Sequence, residues 1–258
     1  MRNFIFRLWP QHTNLVFSSD SLCYHPLTMK SLNVLHQTVA DCTLCPRLTA
    51  YRKNIARAKV KRFQDWDYWG RPIPGFGDPK GQLFVLGLAP AAHGGNRTGR
   101  VFTGDRSGDW LYEALHRFQF ANQAESLHRN DGLRLTNCYV AAAVRCAPPD
   151  NKPTKEEFER CRPFLLQEFR LLRRVKVVVA LGKIAFDEYL KSYKILGFDP
   201  GKPSPKFSHG VRVPCPWGVT LLGSYHPSQQ NTFTGRLTRP MFHGVFREAR
   251  RLLPEQPS

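Results

Sequence analysis

The chain alternates short, continuous apolar runs with longer amphipathic ones. Residues 82–86, 135–144, 176–181 and 219–225 are apolar enough, and of the right length, to be strands buried on both faces. Between the first two, residues 107–120 carry Trp110, Leu111, Ala114, Leu115 and Phe118 at helical spacing. Thr154 with Glu157 three residues on is a capping-box signature for a helix over residues 155–172. Residues 30–40, 184–191 and 237–253 read as further helices, and residues 51–62 as a helix with a basic face. Residues 194–216, rich in Pro, Gly and Lys, are expected to be irregular. This strand-helix alternation predicts an α/β fold whose central four-stranded parallel sheet is covered on both faces and wound with right-handed crossovers. The polar loops after the first, second and fourth strands then leave one edge of the sheet, where such folds bind ligands.

The first of these loops, residues 87–105 (GLAPAAHGGNRTGRVFTGD), holds Gly87, Gly94, Gly95, Gly99 and Gly104, which let backbone approach a ligand closely. His93, Asn96, Arg97, Thr98, Arg100, Phe102 and Asp105 add donors, cations, one flat ring and one carboxylate. Plainer readings stand beside these: a flexible loop, a core phenylalanine at 102, and an acidic cap for the helix opening near Ser107. The loop lacks the Gly-Lys-Ser/Thr ending of a phosphate-binding P-loop. The aromatic, turn-rich residues 66–78 carry no assigned chemistry and read as cover for a core edge.

Charge narrows the partners. Across 258 residues Lys and Arg number 38 against 20 Asp and Glu, a formal net charge of +18 spread along the whole length. A folded body with a positive field suits a polyanion, and nucleic acid before a membrane surface. No apolar run reaches membrane-spanning length. Residues 1–30 read as a poorly ordered extension, with Met29 an alternative start, ahead of a single domain over 31–258. Seven cysteines, an odd number, argue against a disulfide framework. Cys42-x-x-Cys45, Cys146 and Cys161 form a candidate set of four soft ligands for zinc or an iron-sulfur cluster, between which spacing does not choose. Cys23, Cys138 and Cys215 have no partner at chelating spacing.

Three motifs, residues 87–105, RCAPPDNKPT at 145–154 and YHPSQQNTFTGRLTR at 225–239, together with the cysteine quartet in the same order, resemble the family 5 (B-type) uracil-DNA glycosylases over about residues 33–253. The resemblance implies a three-layer α/β/α fold and hydrolysis of the N-glycosidic bond of uracil, and of other deaminated bases such as hypoxanthine and xanthine, in double-stranded DNA, leaving an abasic site. It implies a 4Fe-4S cluster on Cys42, Cys45, Cys146 and Cys161, with zinc as the alternative, and a monomer in a prokaryotic, nucleoid-associated cytoplasmic setting. It also implies that Asp105 orients or activates water, that His226 stabilises the departing base, and that Asn151 is a polar residue needed for catalysis. Ala89 stands before Pro90 where other branches of the superfamily have Asp, Asn or Glu, as it does in family 5.

Gly87, Ala89, His93, Phe102, Asn231 and Arg236 complete the expected substrate contacts, with Phe102 as a stacking face and Arg236 on a phosphate. The loop 227–236 is expected to fill the space left by an extruded base. The one lysine within the motifs, Lys152 beside Asn151, is not an obvious nucleophile, which predicts hydrolysis without strand cleavage. The competing expectation is an inert DNA-binding protein of the same fold.

Overall fold

The computed structural model describes residues 29–254. The extension expected over 1–30 therefore lies, except for its last two residues, outside the described residues.

In chain order the elements are α1 (Leu32–Ala40), α2 (Pro46–Ala58), β1 (Phe76–Gly77), β2 (Leu83–Gly87), α3 (Gly95–Thr98), α4 (Arg106–Arg117), β3 (Cys138–Ala142), α5 (Lys155–Leu171), β4 (Val177–Leu181), α6 (Lys183–Ile195), β5 (Arg212–Cys215), β6 (Val219–Ser224), α7 (Gln229–Phe233) and α8 (Arg239–Leu252). The sheet runs β1-β3-β2-β4-β6-β5. Its four inner strands, β3, β2, β4 and β6, are mutually parallel and are the four apolar runs of the sequence. The expectation of four strands is corrected to six: β1 and β5 add short antiparallel edges. Neither edge strand is an apolar run. β1 has two residues, and β5 contains Pro214, which a sheet tolerates at its rim.

Alternation of side chains along the strands builds two cores. Leu83, Val85, Val140, Val179 and Leu222 face α4 and α8, whereas Phe84, Leu86, Tyr139, Val178 and Leu221 face α1, α5 and α6. The caps that end the helices follow the sequence. Thr154 and Glu157 form both bonds of the capping box, at 3.3 and 2.8 Å. α2 opens at Pro46, earlier than the basic stretch suggested, because proline suits a first helical position whose N–H has no partner.

The second core encloses a charged network. Arg145 and Glu168, each about 1% exposed, pair through two bonds of 2.9 and 2.5 Å. Tyr139 Oη donates to the same carboxylate at 3.3 Å and lies 2.7 Å from His36 Nε2. Removing one partner strands a buried charge, so Glu168→Ala should cost about 3 to 5 kcal/mol. The denaturant midpoint measures it.

Candidate active site

Parallel strands deliver their following loops to one end of the sheet, and here β2 and β6 deliver the two that matter. The loop after β2 closes on Asp105, which caps α4: its Oδ1 accepts the N–H of Gly108 at 2.9 Å. The loop after β6 begins at Tyr225 and His226. Ser107 Oγ donates to the carbonyl of Pro227 at 3.1 Å, which ties the first turn of α4 to the residue following His226. Between them lies Phe102, its ring centroid 6.0 Å from that of His226. The loops that carry Asp105 and His226 thus meet at the same rim of the sheet.

Missing side chains make the fit. A methyl group on Gly94 would come within 2.1 Å of Asp105 Oδ2, and one on Gly87 within 2.5 Å of the Phe102 ring. Phe102 itself adopts a left-handed φ of 51°, a conformation that costs a non-glycine residue about 1 to 3 kcal/mol and is held by its surroundings. It is only 9% exposed, so the ring is both the edge of a core and the wall of the site.

Electrostatically, both reactive groups are governed by loss of water. Burial pushes the Asp105 carboxyl above the ordinary carboxylate range and the negative charge of Asp109 adds to this, against amide hydrogen bonds from Gly108 and Ser107 and the charge of Arg97. Burial lowers His226 to about 4, which leaves the imidazole neutral at neutral pH. Asn231 Nδ2 donates to the His226 carbonyl at 2.8 Å, and so shapes the loop from within.

The description "Uracil DNA glycosylase superfamily" belongs to the family model that matches residues 74–250. The type-5 uracil-DNA glycosylase of Thermus thermophilus is 50% identical over 216 residues, covering 84% of this chain and 95% of that protein. Those of Mycobacterium tuberculosis and Pyrobaculum aerophilum are 49% and 44% identical, over 86% and 82% of this chain and 82% and 88% of theirs. The chain belongs to the type-5 uracil-DNA glycosylases.

Several polar residues of the glycosylase's first motif do not face the site. Asn96, Arg97, Thr98 and Arg100, read as ligand-facing donors and cations, are buried. Arg97 lies between the rings of Phe63 and Trp66, at 3.8 and 4.0 Å from their centroids, and donates to the carbonyls of His93 and Gly104 at 2.8 and 2.9 Å. Arg100 forks onto Asp131 at 2.9 and 2.6 Å. A loop without a ladder must satisfy its backbone somehow, and Arg97 does part of this through two of its carbonyls, whereas Arg100 ties the loop to Ser126 and Asp131. The aromatic stretch without assigned chemistry is part of the site: Tyr68 Oη lies 3.1 Å from His93 Nδ1. His93 is pushed below the ordinary imidazole value by burial and by Arg97.

Ala89 is half-buried just beyond β2. Asn151 sits on the turn after β3, exposed, in a left-handed conformation (φ 55°), and its side chain forms no hydrogen bond among the described residues. Arg236 is also exposed and stacks on Tyr225, 4.8 Å from the ring centroid. At the end of α7, Phe233 is 68% exposed, with the Arg106 guanidinium 4.6 Å from its centroid.

Cys42, Cys45, Cys146 and Cys161 line one cavity together with Leu48 and Phe164. Burial raises all four thiols, Cys146 to about 12, and each of Cys45, Cys146 and Cys161 also feels another member of the set. Cys45 caps α2, and the amide of Arg145 donates to Cys161 Sγ at 3.2 Å. Among the described residues no three Cys, His, Asp or Glu side chains converge closely enough for a single metal ion.

The close approach at Gly94 yields a direct test. Gly94→Ala should displace the Asp105 carboxylate and lower single-turnover uracil excision by about 10²-fold, a loss expected from misplacing a catalytic group by about 1 Å. Thermal melting should change little, because the clash lies in a loop.

Proposed function

We propose that this protein removes uracil, and other deaminated bases such as hypoxanthine and xanthine, from double-stranded DNA by hydrolysing the N-glycosidic bond and leaving an abasic site. One observation carries the reading: the loops bearing Asp105, Phe102 and His226 come together at one rim of a parallel sheet, where burial shifts both the acid and the imidazole.

A paired base is unreachable in the stack, so the nucleotide must swing out. Phe102 offers the extruded base a face, and base-aromatic contacts of this kind contribute about 1 to 3 kcal/mol. Phe233, apolar and exposed on the loop after His226, is placed to enter the gap in the duplex, as apolar wedges do in other DNA-bending proteins. The exposed Lys53, Arg57, Lys61 and Arg62 supply charge for the phosphate backbone, and so does Arg236.

Bond cleavage then separates charge. The bond from C1′ to the base nitrogen breaks with its electron pair going to the base, and a water oxygen bonds to C1′. Asp105 accepts the proton of that water and offsets the positive sugar. The neutral His226 imidazole donates an N–H to the base carbonyl oxygen on which negative charge collects. Asn151 reaches the base only from the turn after β3, and its exposure leaves it free to contact DNA.

The cysteine cavity fits a 4Fe-4S cluster better than zinc, since its four thiols enclose a space and do not converge on one point. Cys42, Cys45, Cys146 and Cys161 would hold it, and its contribution there is to brace the chain. Purified protein should accordingly be brown and contain about four irons per chain, as such a cluster requires. Colourless, zinc-loaded protein would contradict this.

Excision from duplexes carrying U, hypoxanthine, xanthine or T tests the activity itself, with borohydride trapping as the check on hydrolysis: a covalent adduct would mean a different mechanism. Asp105→Asn, which retains a capping side chain, should melt near the wild type yet lose about 10²- to 10⁴-fold in rate. His226→Ala should lose about 10²- to 10³-fold, the range for one preorganised donor. The catalytic pair must be carboxylate and neutral imidazole. Rate should therefore fall on the acid side, as protonation reaches the raised Asp105 carboxyl and, near 4, His226. An ordinary histidine changes charge between about pH 5 and 8, and a rate that declined with rising pH across that range would mean an imidazolium donor instead.

A further inference from the structure

Arg52 belongs by sequence to the basic face of α2, but it is 2% exposed. Its guanidinium donates from Nη1 to the carbonyl of Gly70 and from Nη2 to that of Cys42, one of the cavity's cysteines, at 3.3 Å. Its own backbone carbonyl accepts Nδ2 of Asn96, 3.2 Å away on α3 within the glycine loop. Asn96 is 1% exposed, and its carbonyl accepts the Gly70 N–H at 3.0 Å. The next residue, Arg97, receives the Trp69 N–H at 2.9 Å and holds the carbonyl of Gly104, one position before Asp105. Cysteine cavity and catalytic carboxylate are therefore the two ends of one run of buried polar bonds. A buried guanidinium carries a desolvation penalty that only hydrogen bonds offset; the two side-chain bonds of Arg52 end on the cysteine cavity and on the strap at Gly70, while its Nε has no partner among the described residues.

We propose that Arg52, acting through Asn96, is a positioning residue that fastens the glycine loop, and with it Asp105, to the cysteine cradle. The proposal rests on the glycosylase reading for its kinetic consequence and on the cluster reading for what stiffens the cradle.

The test uses the full chain as purified, with Arg52→Met and Arg52→Lys. Amide hydrogen exchange is followed peptide by peptide, beside single-turnover excision and affinity for a uracil-containing duplex. In Arg52→Met, exchange in residues 93–104 should quicken while β4 and β6 stay protected. The excision rate should fall about tenfold or more, as loss of orientation predicts, with affinity nearly unchanged. Arg52→Lys, able to keep one carbonyl bond, should recover part of both. Unchanged exchange in residues 93–104 overturns the proposal, and so does quickening that extends equally through β4 and β6, which would mark a general loss of stability. If Arg52→Met does not fold, Asn96→Ala cuts the same link from the other side, and normal exchange and rate in that variant overturn it equally. A wild type without excision would sink the glycosylase reading, and a colourless one the cluster. In both cases the exchange pattern still decides the link.

Discussion

Buried guanidinium groups hold the active-site end of this molecule together. The segment joining β2 to α4 turns too often to pair with a strand, and its carbonyls would otherwise be shut away from water without donors. Arg97 supplies two of them, and Arg100 reaches Thr103, Ser126 and Asp131. Arginine suits this task because its planar fork presents several donors at fixed angles and is less strongly hydrated than an ammonium group. Each of these charges is balanced differently: Arg100 by a carboxylate, Arg97 by the faces of Phe63 and Trp66.

That solution also explains what could be read from the chain and what could not. Strands and caps depend on neighbouring residues, so the four apolar runs and the Thr154–Glu157 box were legible directly. That the loops bearing Asp105, Phe102 and His226 share one end of the sheet was legible because parallel strands deliver their following loops to one edge; the roles expected of these residues came from the resemblance. Residue type does not tell which way a polar side chain points, and for that reason Arg97, Arg100 and Arg52 passed as surface or ligand-facing cations. Tyr68 gave no signal because its partner, His93, is distant in sequence and the contact depends on how the strap 66–70 crosses the loop. Both edge strands were missed for a simpler reason: a two-residue strand and one containing proline have no periodicity to find.

Withdrawal of water acts on the two reactive groups in opposite directions that serve one end. In the proposed reaction it makes the carboxylate of Asp105 more basic, which favours taking a proton from water, and makes His226 reluctant to hold a second proton, which keeps it neutral. A neutral imidazole still donates a hydrogen bond to a developing oxyanion, and it does so without placing a cation beside the positive sugar. The chain as a whole carries a formal charge of +18, whereas at Asp105 and His226 burial is the largest influence.

The cysteine cradle reaches the second motif as well as the first. Arg47, two residues after Cys45, donates to both oxygens of Glu157 at 2.8 and 2.7 Å and to the carbonyl of Lys152 at 3.1 Å. Glu157 caps α5, the helix that carries Cys161, and Lys152 follows Asn151 on its turn. The start of α2, the start of α5 and the turn bearing Asn151 are thus one bonded unit, and the left-handed Asp150 and Asn151 are held inside it at φ 52° and 55°. Two non-glycine residues in that conformation would relax if the unit came apart. Whatever stiffens the thiols therefore acts on both loops, through Arg52 on one side and Arg47 on the other, although no cysteine comes from either loop's reactive residues.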